Sequence, residues 1–161
     1  MDAGTRLLIE SLAVDPGESF LDLGCGYGPI GVAIAKTIKG SRVVMTDVNR
    51  RAVSLSRKNA DVNRVEADVR EGELFSPVEG LAFDHIASNP PIRAGKAIVH
   101  GIVEGAPAHL RDGGSLWLVA RTAQGAPSLT KKMEDVFGNA DVVSRGGGFR
   151  VLRSGYPASL K

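Results

Sequence analysis

Asn89-Pro90-Pro91-Ile92 follows directly on Phe83-Asp84-His85-Ile86-Ala87-Ser88, an apolar run that reads as a buried strand. Proline fixes its own φ and confines the preceding residue to extended backbone. An Asn-Pro-Pro step therefore holds a side-chain amide oxygen and backbone carbonyls in set directions. Such a cup of acceptors suits the two N–H bonds of a planar amino group. Asn89 and Pro90 are the candidate catalytic pair. With the side-chain oxygen of Asn89 and the carbonyl of Pro90 as acceptors, the nitrogen is held towards a tetrahedral shape and its lone pair is aimed at an electrophile. Pro91 and Ile92 complete the substrate side. Arg93 and Lys96 follow at once and suit phosphate groups; a solvated helix start is the competing reading of those two. An ordinary turn after a strand is the competing reading of the whole motif.

Far upstream stands Asp22-Leu23-Gly24-Cys25-Gly26-Tyr27-Gly28, a glycine-rich turn at the end of another apolar run. Gly26-x-Gly28-x-x-Gly31 satisfies the dinucleotide fingerprint, and Asp47 follows at the distance of a ribose-binding acid. A nicotinamide-dependent oxidoreductase is therefore one reading. The carboxylate of Asp22 argues against it, because it would repel a pyrophosphate but attract an ammonium. The earlier spacing Gly24-x-Gly26-x-Gly28 allows close backbone approach by a ligand without phosphates. S-adenosylmethionine has that chemistry: an ammonium, a sulfonium, a ribose with free hydroxyls and no phosphate. Asp47 would accept from the ribose hydroxyls, with Val48 beside it; alternatively Asp47 or Asn49 caps the following helix. Glu73 is the candidate acceptor for the adenine amino group, with Glu71 its competitor. Cys25 reads as a small residue packed by the cofactor rather than as a nucleophile.

These groups need a scaffold. Apolar strand patterns alternate with helical ones, which predicts an α/β fold with a mainly parallel sheet. Strands are expected at Ser19–Leu23, Arg42–Thr46, Val65–Val69, Leu81–Ala87 and Ser115–Ala120, the last after an Asp112-Gly113-Gly114 turn. Helices are expected at Thr5–Leu12, Ile30–Ile38 behind Pro29, Arg50–Val62, Lys96–Leu110 with Pro107 shortening or kinking it, and Pro127–Phe137. Ala140–Ser144 and Phe149–Arg153 read as a terminal antiparallel hairpin around Gly146-Gly147-Gly148. No polar linker divides the chain, so residues 1–161 read as one domain, with an N-terminal helix and turn over 1–18 and a loose tail over 155–161. The glycine turn, Asp47 and Asn89-Pro90 each follow a strand at its carboxyl end, where open α/β sheets place their ligand crevice.

The 161 residues carry a formal net charge of +2 and a sequence pI of about 8.8. That permits a polyanionic partner without demanding one. No apolar run approaches the ~20 residues of a membrane span, and no secretory leader opens the chain. A single cysteine fits a reducing compartment, so a cytoplasmic protein is expected. His85, His100 and His109 lack metal-ligand spacing, and no metal is expected. Trp117 reads as core and Asp84 as a folding residue. Arg121, Gln124, Arg145, Arg150 and Arg153 are candidates for a basic rim that the sequence does not place on one face.

Asp22-x-Gly24-x-Gly26-x-Gly28, Asp47 and Asn89-Pro90-Pro91 together resemble class I S-adenosylmethionine-dependent methyltransferases. More narrowly, the chain is similar to the small-domain branch that includes RsmC-type ribosomal RNA guanine-N2 methyltransferases. Asp2-x-Gly4-Thr5-x-x-Leu8, Asp47-Val48-Asn49-x-Arg51-Ala52-Val53, Leu74-Phe75 and Phe83-Asp84-x-Ile86 extend that likeness from Asp2 to about Ser154. The resemblance implies a Rossmann-like, seven-stranded, mainly parallel sheet with helices on both faces and a reversed final hairpin. It implies Asp22, Gly24, Gly26, Asp47 and Glu73 around S-adenosylmethionine, Asn89 and Pro90 at the target nitrogen, and Thr5 near the amino-acid end of the cofactor. It implies a guanine amino group in ribosomal RNA as target. The side-chain amide of a protein glutamine presents the same planar NH2 and is the alternative; a non-catalytic module that binds cofactor or RNA within an assembly is a further one. Ile92 departs from the pattern, since the family often has an aromatic residue there. Family members also commonly carry residues, or a whole domain, ahead of the Asp-x-Gly-Thr segment.

Overall fold

The computed structural model describes residues 1–90 and 95–156. A parallel block is built from β1 (Ser19–Leu23), β2 (Arg42–Asp47), β3 (Asp68–Glu71), β4 (Phe83–Ser88) and β5 (Leu110–Arg121), and an antiparallel pair, β6 (Asp141–Gly146) and β7 (Phe149–Gly155), closes it. The seven strands run in the order β3-β2-β1-β4-β5-β7-β6. The helices are α1 (Ala3–Ser11), which precedes the sheet, and α2 (Pro29–Thr37), α3 (Arg50–Val62), α4 (Gly95–Gly105) and α5 (Ala126–Phe137), which connect its strands. None among the described residues is long and apolar enough to cross a membrane.

Side chains alternate across a strand, and here both faces are covered. Phe20, Val43, Met45, Trp117, Val119 and Val151 pack with Leu8, Ile30, Ile34 and Val53 under α1, α2 and α3. Leu21, Leu23, Ile86, Leu116, Leu118 and Leu152 pack with Ile102, Val103, Leu129 and Met133 under α4 and α5. Asp22 shares the parity of Phe20, which directs its side chain to the α2 face. Gly31 permits the closest approach there: a Cβ on it would collide with the Met45 side chain and stand 3.2 Å from Asp22 Oδ2.

Several expected boundaries match, β1 and α3 to the residue. Others shift for identifiable reasons. The third strand is Asp68–Glu71 rather than Val65–Val69, since pairing with β2 begins at Val44↔Asp68 while Val65 and Ala67 only pack against the core. The long fourth helix ends at Gly105; Ala106–His109 forms a 3-10 turn around Pro107, and Leu110 already starts β5. The Asp112-Gly113-Gly114 turn survives inside β5 as a register jump, from Phe83↔Leu110 to His85↔Ser115. Gly155 lies in β7 rather than in a loose tail, because Asn139 holds it by Nδ2–H to its carbonyl at 3.0 Å and by Oδ1 from its N–H at 2.8 Å.

Asp84 does serve folding. Its Oδ2 accepts from the Ser19 N–H at 2.9 Å and the Ser19 hydroxyl at 3.1 Å, while Ser19 Oγ accepts from the Asp84 N–H. Burial alone would raise this carboxyl, but the Ser19 bonds and nearby Arg111 outweigh it and hold it below its ordinary value.

Candidate active site

The carboxyl ends of β1, β2 and β4 meet at one edge of the sheet. Register places Asp22 beside Met45 and beside Ala87. Two residues further on, Gly24 and Asn89 therefore emerge side by side. Ser88 strengthens this junction by donating its buried hydroxyl to the Leu23 carbonyl at 2.7 Å.

Gly24, Gly26 and Gly28 have φ of 71°, 59° and 93°. Those left-handed values let the chain fold back between β1 and α2 at no steric cost. A Cβ at Gly26 would meet nothing within 4 Å, so the turn leaves open space on its outer side. Two bonds pin the turn to β2: the Cys25 N–H donates to the Thr46 carbonyl at 2.8 Å, and the Gly26 N–H to Asp47 Oδ2 at 2.9 Å. Ser56 of α3 holds it from behind, donating to the Gly26 carbonyl at 2.8 Å.

Asp22 is fully buried, and its Oδ2 accepts from the Gly31 N–H at 2.9 Å in the first turn of α2. Its Oδ1 has no hydrogen-bond partner among the described residues. Burial pushes this carboxyl up to about 7 against the pull of the Gly31 bond, and the charge of Asp47 adds to the rise. An unmatched buried acceptor is costly, and a ligand's ammonium would relieve it. Asp47 Oδ1 accepts from the Asn49 N–H at 2.8 Å. A carboxylate offers about four lone-pair sites, so Asp47 retains acceptor capacity for ribose hydroxyls. Asn49, not Asp47, caps α3, accepting from the Arg51 and Ala52 N–H groups. Val48 leaves 69% of its surface exposed on the same shelf, an apolar wall suited to a purine ring. Glu73 is exposed just beyond β3, while Glu71 pairs with Arg50 at 3.4 Å. The Gly72 N–H donates to the Asp47 carbonyl at 3.0 Å, which brings this loop to the shelf. These residues fit S-adenosylmethionine: an orphaned acid for its ammonium, an acid for its ribose and an apolar wall for its base.

Cys25 lies inside the turn at 5% exposure, with its Sγ 3.3 Å from Ser56 Oγ. Burial and the Asp22 charge push its thiol up to about 12, so no thiolate forms near neutral pH.

Asn89 and Pro90 border a cavity of about 650 Å³ whose lining does not include the glycine turn. Lys96, Val99 and His100 of α4, the end of β5, the start of α5, Phe149 and Asp2 complete its walls. Phe149 is fixed by Arg121, whose guanidinium lies 5.0 Å above its ring, and by the bare Gly4, where a Cβ would come within 2.9 Å of the ring. Asn89 Nδ2 donates to Thr5 Oγ1 at 2.8 Å and approaches Asp2 Oδ1 at 3.5 Å. Thr5, expected by the resemblance at the cofactor, is here hydrogen-bonded to Asn89. The expectations for Pro91, Ile92 and Arg93 lie outside the described residues; Lys96 sits in the first turn of α4, exposed at the cavity rim.

The suggested basic rim divides. Arg121 and Gln124 reach the cavity. Arg153 is engaged by the Trp117 ring at 5.1 Å and by Ser115 Oγ at 3.1 Å. Arg145 and Arg150 pair across β6 and β7, and Arg150 has the parity of Leu152, which turns both towards the α5 face. Of the histidines, His100 lines the cavity. His85 accepts from the Trp117 indole at 3.2 Å and meets Glu18 at 3.0 Å, and His109 stacks on Phe75.

This strand order, with an acid-tipped glycine turn after β1 and a second acid after β2, defines the Rossmann-like fold of class I methyltransferases. Residues 1–153 match the family model described as methyltransferase small domain, and the chain belongs to that family of S-adenosylmethionine-dependent enzymes. The family sets the nicotinamide alternative aside. The chain is 43% identical over 157 residues to a Bacillus subtilis protein, "uncharacterized protein YbxB", covering 96% of this chain and 78% of that one. It is 34% identical over 158 residues to ribosomal RNA small subunit methyltransferase C of Escherichia coli K12, covering 96% of this chain but only 45% of the relative. The structure superposes with a TM-score of 0.86 and 26% identity on the Thermus thermophilus 16S rRNA N2 guanine methyltransferase RsmC in complex with AdoMet and guanosine, over 96% of this chain and 43% of that one. The chain thus spans less than half the length of both named enzymes.

Proposed function

We propose that the chain transfers a methyl group to the exocyclic N2 of a guanine in ribosomal RNA, as a cytoplasmic enzyme. The observation that carries the proposal is the Asn89 carboxamide at the cavity wall: its Nδ2 is occupied by Thr5 and Asp2, which leaves its Oδ1 as the end able to accept from a substrate.

When bound, S-adenosylmethionine supplies an electrophilic methyl on a sulfonium, with a neutral thioether as leaving group. Asp22, Gly24, Cys25, Gly26, Gly28, Asp47, Val48 and Glu73 would hold it. Asn89 Oδ1 and the Pro90 carbonyl would accept the two N–H bonds of the amino group. That draws its lone pair out of conjugation and towards the methyl without a prior deprotonation. Proximity and alignment then contribute up to roughly 7–11 kcal/mol. Once alkylated, the nitrogen carries one surplus proton, which passes to solvent water. Asp2 also fronts the cavity, and a carboxylate there suits the ring N1–H next to N2 in guanine, where adenine and a glutamine amide present an acceptor instead. Lys96 and Arg121 would meet phosphates, with Pro91, Ile92 and Arg93 on the same substrate side. The names of the two rRNA-modifying relatives point the same way.

Ribosomal RNA and protein from a strain deleted for the gene, incubated with the chain and methyl-labelled cofactor, test this reading. Label recovered as N2-methylguanosine is the expected result. Label confined to N-methylglutamine in protein would install the alternative target, and unlabelled RNA removes the proposal.

A further inference from the structure

We infer that Thr5 is a positioning residue for methyl transfer, acting through Asn89 with Asp2 as its second anchor. The inference rests on the reading of Asn89 as the acceptor of the target amino group.

A carboxamide has two ends of nearly equal shape and opposite hydrogen-bonding sense. Presented by its oxygen, Asn89 accepts from an amino group; turned over, it sets donor against donor. The terminal torsion of asparagine is broad and nearly two-fold, so nothing internal to the side chain chooses between these states. Proline at 90 restricts the backbone of Asn89 but not this torsion.

The choice is made by the first turn of α1. Thr5 Oγ1 lies 2.8 Å from Asn89 Nδ2, and Asp2 Oδ1 lies 3.5 Å from the same nitrogen. A carboxylate only accepts, so the amide nitrogen belongs on that side. Asp2 is itself held, because its Oδ1 accepts the Thr5 backbone N–H at 2.7 Å as the cap of α1. Asp2, Thr5 and Asn89 therefore close a ring of mutual hydrogen bonds. Thr5 is 6% exposed, and α1 behind it is anchored by the fully buried Leu8 and by the close seat of Gly4 on Phe149. A side chain locked in this way by a packed element is the support that a reacting group requires.

Thr5→Val keeps the shape and removes the acceptor. On ribosomal RNA from the deletion strain, kcat is expected to fall by about tenfold or more, by comparison with the loss of a preorganised hydrogen bond. The KM for RNA and the calorimetric affinity for S-adenosylhomocysteine stay within about twofold, which also reports an intact fold, and Thr5→Ser restores most of kcat. In an Asn89→Ala background Thr5→Val costs nothing further, because the group it orients is gone. In the isotope-labelled free protein, the side-chain amide protons of Asn89 exchange with solvent faster in Thr5→Val than in the unaltered chain. Undiminished kcat, a selective loss of S-adenosylhomocysteine affinity, or losses that multiply in the double variant would each overturn the inference. Unimpaired turnover of Asn89→Ala alone would instead remove the catalytic reading of Asn89, and this inference with it.

Discussion

The Gly26 N–H donates to Asp47 Oδ2 at 2.9 Å, so one carboxylate both braces the glycine turn and stands ready at the tip of β2. Asp47→Ala removes that brace together with the proposed ribose acceptor. A charged hydrogen bond of this kind contributes about 1.5–3 kcal/mol, so cofactor affinity is expected to fall by roughly ten- to a hundredfold. Calorimetry with S-adenosylhomocysteine checks it, and unaltered affinity would count against the assignment.

The proposed pairing of Asp22 with a ligand ammonium should make cofactor binding depend on pH. Its carboxyl is raised from 3.8 to about 7 in the folded chain. Across that interval the folded state keeps a proton that the unfolded state has lost. The stability contributed by the protonated form is therefore complete at low pH and is lost as pH climbs towards about 7. Denaturant titrations of the free protein at several pH values should show this fall, and Asp22→Asn should flatten it. A ligand ammonium prefers the ionised acid. Affinity for S-adenosylhomocysteine should accordingly rise with pH up to about 7 and then level off, with a proton released on binding below that point. A flat affinity profile would show that Asp22 does not sense the ligand charge.

Asn89→Ala deletes the oxygen proposed to accept from the target amine while leaving Asp22, Asp47 and the turn untouched. Turnover is expected to drop by about 10²–10³, with cofactor affinity intact. Single-turnover transfer of labelled methyl, combined with calorimetry, separates the two quantities.

Lys96 and Arg121 both line the cavity. If each neutralises one phosphate, Lys96→Ala and Arg121→Ala should each weaken RNA binding and lower the slope of log affinity against log salt by about one. Arg121→Ala should have a further effect, since it uncovers the Phe149 ring at 5.0 Å. Affinity measured across a salt series tests both.

The glycine turn and the strands that carry Asp22 and Asp47 were legible in the sequence because each has a local signature. Glycines at 24, 26 and 28 announce positive φ, which all three adopt, and apolar runs mark the strands that carry Asp22 and Asp47 to the same edge. Of the acceptor half, Asn89, Pro90 and Lys96 were legible, with Arg121 and Gln124 offered only as rim candidates. Its other walls come from α1, α4, α5, β5 and β7, whose convergence depends on strand order, and no periodicity encodes which distant segment will face which. Phe149 and Arg121 are cross-strand partners 28 positions apart, and nothing near either residue signals the other. The partner of Thr5 was hidden for the same reason, since Asn89 is 84 residues away.

The two halves of the site also differ in when their parts arrive. The cofactor shelf draws on residues 22–73, a single stretch, whereas the wall opposite waits for Phe149 in the closing strand. During synthesis from the N-terminus, the donor-side residues have all been added long before the acceptor wall is complete. On the proposed function, methyl transfer would await the closing strand that carries Phe149.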